Sequence, residues 1–364
     1  MNIKILSIGL MSFFALFGST NLYGYEIKGK IASSLNDVDG KYVYILPYGA
    51  KSLSEVIDSA KISNNTFVLS GADKGEMVCR LFIQDMVQGK EYTASFLLEN
   101  GNMEATLDKF SFVTGTPEND AYTALQKKGY DAQVKINEII PALKENNADA
   151  IKKYEEIAAS VNGELKKYII ENPTKLTAAK IFTDMKYDLS ESEQEEILAN
   201  TDAKFQSFPG IDAMKKQLEI LKKVAPGNQF IDFEMADADG NMHKISEYIG
   251  KGKVVLLDFW ASWCGPCMRE VPNIKKIYDA YKDKGFEIVG ISFDNKKANW
   301  MSAVTGKNMN WIHLSDLQGW KSLAAPLYGV NSIPCTFLID KDGKIIKRNI
   351  LGNELEEKLA EILN

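Results

Sequence analysis

The chain has 364 residues, more than one small domain uses, so two or three domains are expected. It is 45% hydrophobic and 25% charged with a formal net charge of −6, the balance of a soluble globular protein. That balance offers no basic surface for nucleic acid. Four cysteines and two histidines are too few for a disulfide-stapled scaffold, and they stand at no zinc-finger spacing, so no metal is expected.

At the N-terminus Lys4 precedes an apolar run from Ile5 to Phe17, followed by small and polar residues through Gly24. That layout predicts a secretory leader over residues 1–24, because the run is shorter than the ~20 residues that span a bilayer. The leader contains no cysteine for lipid attachment, so a soluble, exported, periplasmic mature chain is expected.

Residues 25–116 alternate apolar and polar positions in short runs such as Tyr42–Leu46, Thr66–Leu69, Met77–Ile83 and Ser95–Leu98. Asp39-Gly40, Asn64-Asn65 and Asn100-Gly101 punctuate them, which predicts an antiparallel β-domain with a structural or recognition role. From 117 to 225 the pattern turns helical and rich in Lys, Glu and Ala. Ser190 with Glu193 forms a capping-box signature, and Pro173 is placed at a first helical turn. This stretch is read as a helical spacer.

Ala225-Pro226-Gly227-Asn228 marks the next boundary. Beyond it, strands are expected at Phe230–Ala236, Val254–Phe259, Phe286–Ser292, Thr336–Ile339 and Ile345-Ile346, with helices after Cys267, around Lys296–Thr305 and from Asn353. Strands alternating with helices and closing on a hairpin predict an α/β domain with a mixed sheet over 226–364.

The chemistry lies in Trp263-Cys264-Gly265-Pro266-Cys267, set between the strand ending at Phe259 and a helix. Two thiols then stand at a helix start, where unpaired N–H groups and the helix dipole favour a thiolate on the first sulfur. The second thiol is close enough to close a disulfide onto the first. Thiol–disulfide exchange follows from that placement.

Residues 226–364 resemble the thioredoxin-fold domain of the TlpA/ResA type, the exported thiol-disulfide oxidoreductases. The features that carry the resemblance are Asp258-Phe259-Trp260-Ala261, the Cys264–Cys267 motif, Pro272, Ile333-Pro334 before a strand, and Gly352 before the last helix. Ser59–Ile62, Leu98–Asn102 and Val113–Asn119 are similar to a β-domain of unknown function that precedes such domains in exported Gram-negative proteins.

The resemblance implies roles residue by residue. Cys264 attacks the target disulfide and Cys267 resolves the mixed disulfide. A thiol shifted from a pKa of about 8.5 to about 7 rises from ~3% to ~50% thiolate at pH 7. Asp258 becomes a buried carboxylate beneath the sulfurs, with a raised pKa, that takes the proton of Cys267. Pro334 is implied to be a cis-proline that, with Ile333, presents a backbone edge to the substrate. Trp263, Gly265 and Pro266 shape the surface around Cys264, with Trp263 either in a partner-docking patch or in the core. No cofactor beyond the dithiol is implied. The partners are protein thiols and disulfides and a membrane thiol-electron transporter, with cytochrome c biogenesis and redox homeostasis as settings.

Cys335 departs from the family, where threonine is usual; it is read as a small residue packed in the sheet, with an alternative disulfide or modification as the other reading. Cys79 is expected in the β-domain core. Glu270, just after the active pair, is read as a solvated helix position, with tuning of the local field as the other reading; Trp300, Trp311 and Trp320 are read as packing, and neither His243 nor His313 receives a role. Two rival functions remain. A thiol peroxidase would want a threonine three residues before its cysteine, where this chain has Ala261. A non-catalytic adaptor would not need Cys264 at all.

Overall fold

The computed structural model describes residues 24–33, 35, 38–83, 92–251 and 253–363. The leader expected over 1–24 lies, apart from Gly24, outside the described residues. The chain forms two compact units, residues 1–212 and 213–364.

Among its described residues the first unit holds eight strands: β1 (Gly24–Ile31), β2 (Tyr42–Pro47), β3 (Asp58–Lys61), β4 (Thr66–Ala72), β5 (Met77–Ile83), β6 (Thr93–Leu98), β7 (Gly101–Leu107) and β8 (Phe112–Thr114). They build two four-stranded sheets in the orders β4-β1-β7-β8 and β3-β2-β5-β6. Every pairing is antiparallel except β1 with β7, which run parallel. The period-two pattern reports which face of a strand is buried, not the direction of its neighbour. Ile27, Val43, Ile45, Leu81, Phe96 and Leu107, all fully buried, lie in the core of this part.

Helices α1 (Pro117–Lys144), α2 (Ala148–Glu171), α3 (Leu176–Asp184), α4 (Glu191–Ala199) and α5 (Ala203–Gln206) follow. Pro117 occupies the start of α1, where its missing N–H costs nothing. Pro173 does not start a helix; it sits in the turn between α2 and α3. Both halves of the Ser190/Glu193 capping box form.

One buried residue ties α1 to the β-structure. Asn119 is fully buried, its Oδ1 accepts the Leu97 N–H at 2.9 Å, and its Nδ2 donates to the Leu97 carbonyl at 2.8 Å and to Thr116 Oγ1 at 2.9 Å. Its amide thus pairs with β6 as a neighbouring strand would, satisfying backbone groups that burial would otherwise leave costly.

Helix α6 (Ile211–Lys223) leads into the second unit. There follow β9 (Glu234–Ala236), β10 (Met242–Lys244), β11 (Val254–Trp260), α7 (Gly265–Tyr281), β12 (Phe286–Ser292), α8 (Lys297–Gly306), β13 (Ile312–Leu314), α9 (Ala324–Tyr328), β14 (Cys335–Ile339), β15 (Ile345–Arg348) and α10 (Gly352–Leu363). The main sheet has the order β13-β12-β11-β14-β15, with β11, β12 and β13 parallel, β14 antiparallel to β11, and β15 antiparallel to β14. This is the α/β thioredoxin fold that the resemblance implies. Strand β11 is buried at every residue, as a central strand covered on both faces must be. Along α7, Cys267, Val271, Ile274, Tyr278 and Tyr281 are buried at helical spacing, so one face of that helix closes over the core.

Candidate active site

Strand β11 ends at Trp260, and four residues carry the chain into α7. Their conformation is held by the residues just past β12. Phe293 N–H donates to the Trp260 carbonyl at 2.8 Å. Asp294, 1% exposed, accepts the Ser262 N–H at 2.9 Å and the Ser262 hydroxyl at 2.5 Å, and the Ser292 hydroxyl adds a bond of 2.8 Å. A buried carboxylate is costly unless its oxygens are occupied, and here three donors occupy them. Trp263 Nε1–H donates to the Phe293 carbonyl at 3.3 Å.

Cys264 is the N-cap of α7, and its Sγ accepts the Cys267 backbone N–H at 3.1 Å. It occupies the place that a capping oxygen takes, facing the N–H groups and positive end of a 17-residue helix. Charge on this sulfur is therefore favoured. Cys264 and Cys267 are joined in a disulfide with Cα atoms 5.3 Å apart. Both are only 4% exposed, so Cys264 is more covered than an attacking sulfur was expected to be. Its neighbours Trp263, Gly265 and Pro266 are exposed, which puts the pair under a thin rim.

Two further segments meet the cysteines. The Ile333-Pro334 peptide is cis, and the Ile333 carbonyl oxygen lies 3.6 Å from Cys264 Sγ. Asp258, Cys267, Glu270 and Pro334 share the walls of a small cavity with room for about one water molecule. Asp258 is 4% exposed, and its Oδ1 makes no hydrogen bond within the protein. Burial, and secondarily the charge of Glu270, push its carboxyl up to about 7. The structure thus brings together Asp258, Cys264, Cys267, Ile333 and Pro334, with Trp263, Gly265 and Pro266 around them.

Some residues stand differently from their sequence reading. Glu270 is not a solvated position: it is half-buried on the cavity wall, and its Oε1 accepts Asn273 Nδ2–H at 2.9 Å and the Gly352 N–H at 3.1 Å. Its place one helical turn after Cys267 was the available signal. Trp320 is not interior packing; it is 47% exposed, with its ring 6.1 Å from that of Trp263. Asp294 drew no attention in the sequence, because nothing local shows that β12 ends beside β11. His313 is half-buried between Trp260 and Trp311, and desolvation of its ring drives its pKa down to about 4 and keeps it neutral.

The remaining cysteines are free. Cys79 is 1% exposed in the β-domain core, and burial pushes its thiol up to about 12. Cys335, partly buried beside the core, pairs in register with Phe259; burial and then the Asp258 charge also push it up to about 12. Neither environment favours a thiolate. Among the described residues no group of three or more His, Cys, Asp or Glu is arranged to hold a metal ion, and no helix is long and apolar enough to cross a membrane.

Residues 226–348 match the family model described as AhpC/TSA family, and residues 25–122 match that of a domain of unknown function, DUF4369. Among curated proteins, the thiol-disulfide oxidoreductase ResA of Geobacillus thermodenitrificans is 36% identical over 140 residues, covering 38% of this chain and 77% of that protein. The ResA of Bacillus anthracis is 33% identical over 159 residues, covering 44% of this chain and 85% of that protein. Among solved structures, the thioredoxin domain of a thiol-disulfide oxidoreductase from Bacteroides vulgatus is 30% identical, with a TM-score of 0.36, covering 38% of this chain and 99% of that one.

Proposed function

The chain belongs to the ResA-like thiol-disulfide oxidoreductases, and from that premise we propose that it works outside the cytoplasm as a reductant of protein disulfides through Cys264 and Cys267. The observation that carries this reading is the capping position of Cys264, whose sulfur accepts the Cys267 N–H at the head of α7.

In the reduced enzyme the Cys264 thiolate attacks one sulfur of the target disulfide. A mixed disulfide forms and the target's other sulfur leaves as a thiolate. Cys267 gives its proton to the Asp258 carboxylate and attacks Cys264 Sγ. The internal disulfide forms and the second target thiolate departs, so two electrons pass from enzyme to target. An acid with a pKa of about 7 is well matched to that transfer near neutral pH. Ile333 and Pro334 receive the target's backbone beside Cys264, and Trp263, Gly265 and Pro266 form the surface it meets.

The direction follows from Gly265-Pro266, the dipeptide of reducing thioredoxins. Thioredoxin stands at about −270 mV and DsbA at about −120 mV, a gap worth about 7 kcal/mol and enough to reverse the reaction. A redox titration against dithiol buffers is expected to place the Cys264/Cys267 couple nearer the lower value. A midpoint nearer the upper one would make the protein an oxidant. Export rests on the leader pattern of residues 1–24, and re-reduction would then draw on a membrane thiol-electron transporter. The targets are cytochrome maturation thiols or misoxidised exported proteins, with residues 25–116 as a recognition domain and 117–225 as a spacer.

The test is a trap. Cys267→Ser, expressed in the native host, is expected to accumulate mixed disulfides through Cys264 in the periplasmic fraction, on a chain shortened by the leader. Cys264→Ser is expected to capture nothing and to lose function. Retained function in Cys264→Ser would instead support the adaptor reading. The AhpC/TSA match keeps a thiol peroxidase in view, but Ala261 stands where that chemistry wants a threonine.

A further inference from the structure

Trp263 and Trp320 are exposed by 53% and 47%, and both belong to the second unit. Scattered apolar residues on a surface need no explanation, but two indoles in mutual contact beside a reactive sulfur do. Trp263 precedes Cys264 directly in the chain. Trp320, in the short turn Gly319–Lys321, brings its ring 6.1 Å from that of Trp263.

The pair is built on a fixed support. Phe293, fully buried, accepts the Trp263 Nε1–H on its carbonyl and meets the Trp320 ring edge-on at 5.3 Å. Asp294, the next residue, holds Ser262 through backbone and side chain. One short segment after β12 therefore positions both indoles and the loop that carries Cys264. A surface fixed in advance loses little freedom on binding.

The size of the patch limits what it can receive. Two half-exposed indoles offer on the order of 250 Å². A stable protein interface needs about 800 Å² from each partner. This surface is too small to seat a folded partner by itself and suits one or two apolar side chains. Because Trp263 is next to Cys264, those side chains must lie close in sequence to the cysteine under attack.

We infer that Trp320, together with Trp263, forms a specificity subsite for an apolar side chain flanking the target cysteine, so that the substrates are polypeptide disulfides with apolar neighbours. Glutathione disulfide, whose cysteine is flanked by γ-glutamyl and glycyl groups, cannot fill it. The inference rests on the oxidoreductase reading above.

The experiment uses the reduced full chain and two synthetic peptide disulfides of equal length, one with leucine and one with serine beside the cysteine. Wild-type protein is expected to favour the leucine peptide in kcat/KM. The ratio of the two values falls about tenfold in Trp320→Ala and stays within about twofold of wild type in Trp320→Phe. A ratio is insensitive to the fraction of active protein, so partial misfolding cannot imitate the effect. A wild-type ratio near one, or a ratio that Trp320→Ala leaves unmoved, overturns the inference while leaving the oxidoreductase reading intact. Wild-type protein that turns over neither peptide overturns both.

Discussion

Asp258 shows how a side chain legible in the sequence acquires its chemistry only from its surroundings. Its carboxyl, ordinarily near 3.8, is pushed up to about 7 by burial within β11 and by Glu270. Well below pH 3.8 the group is neutral in both folded and unfolded chains. Between about pH 4 and 7 the unfolded chain has lost the proton that the folded protein keeps, so stability falls across that window and levels off above it. Asp258→Asn is therefore expected to be more stable than wild type at pH 8, by on the order of 4 kcal/mol, with the advantage gone at pH 3. Chemical denaturation at the two pH values measures it; an equal advantage at both would refute the ionisation account. In the same variant the resolution of a mixed disulfide is expected to slow and to lose its inflection near pH 7. The cysteine pair could be read from spacing, and Asp258 from the family resemblance. Glu270 was signalled only by its place one helical turn after Cys267, because its approach to Asp258 depends on a helix and a strand meeting across a cavity.

At the level of elements, the long and strongly patterned segments were recoverable. Strand β12 spans Phe286–Ser292 as expected, and β11 extends its expected run by one residue, to Trp260. The short elements β13 and α9 were missed, since neither carries enough residues to show a period, and both are defined by the neighbours they pack against. The parallel pairing of β1 with β7 escaped for a different reason, since alternation along a strand does not report the direction of its neighbour. Asn119 belongs to this scale too, because its amide makes the bonds that a strand would make to Leu97. Asn119→Ala leaves a buried N–H and carbonyl without partners, and a loss of about 2–4 kcal/mol is expected. Equilibrium denaturation measures it, and a loss below about 0.5 kcal/mol would show that β6 does not depend on this residue.

Over the whole molecule, the division of labour follows the distribution of chemistry. The first unit buries its one cysteine, Cys79, in apolar surroundings, and its polar network around Asn119 and Glu118 serves structure: Glu118 accepts the Thr177 hydroxyl at 2.8 Å and pairs with Lys175 at 2.9 Å. The second unit gathers the sulfurs, the buried acid and the cis-proline within one sheet and the helix over it. One bond in that unit reaches further than its size suggests. Glu270 accepts the Gly352 N–H at the point where α10 begins, and Leu355 and Leu359 of α10 are fully buried. The last helix carries none of the sulfurs, yet it fixes the carboxylate whose charge adds to burial in raising the Asp258 pKa. Loosening that terminal helix is therefore expected to shift the Asp258 pKa, although the helix contributes no sulfur of its own.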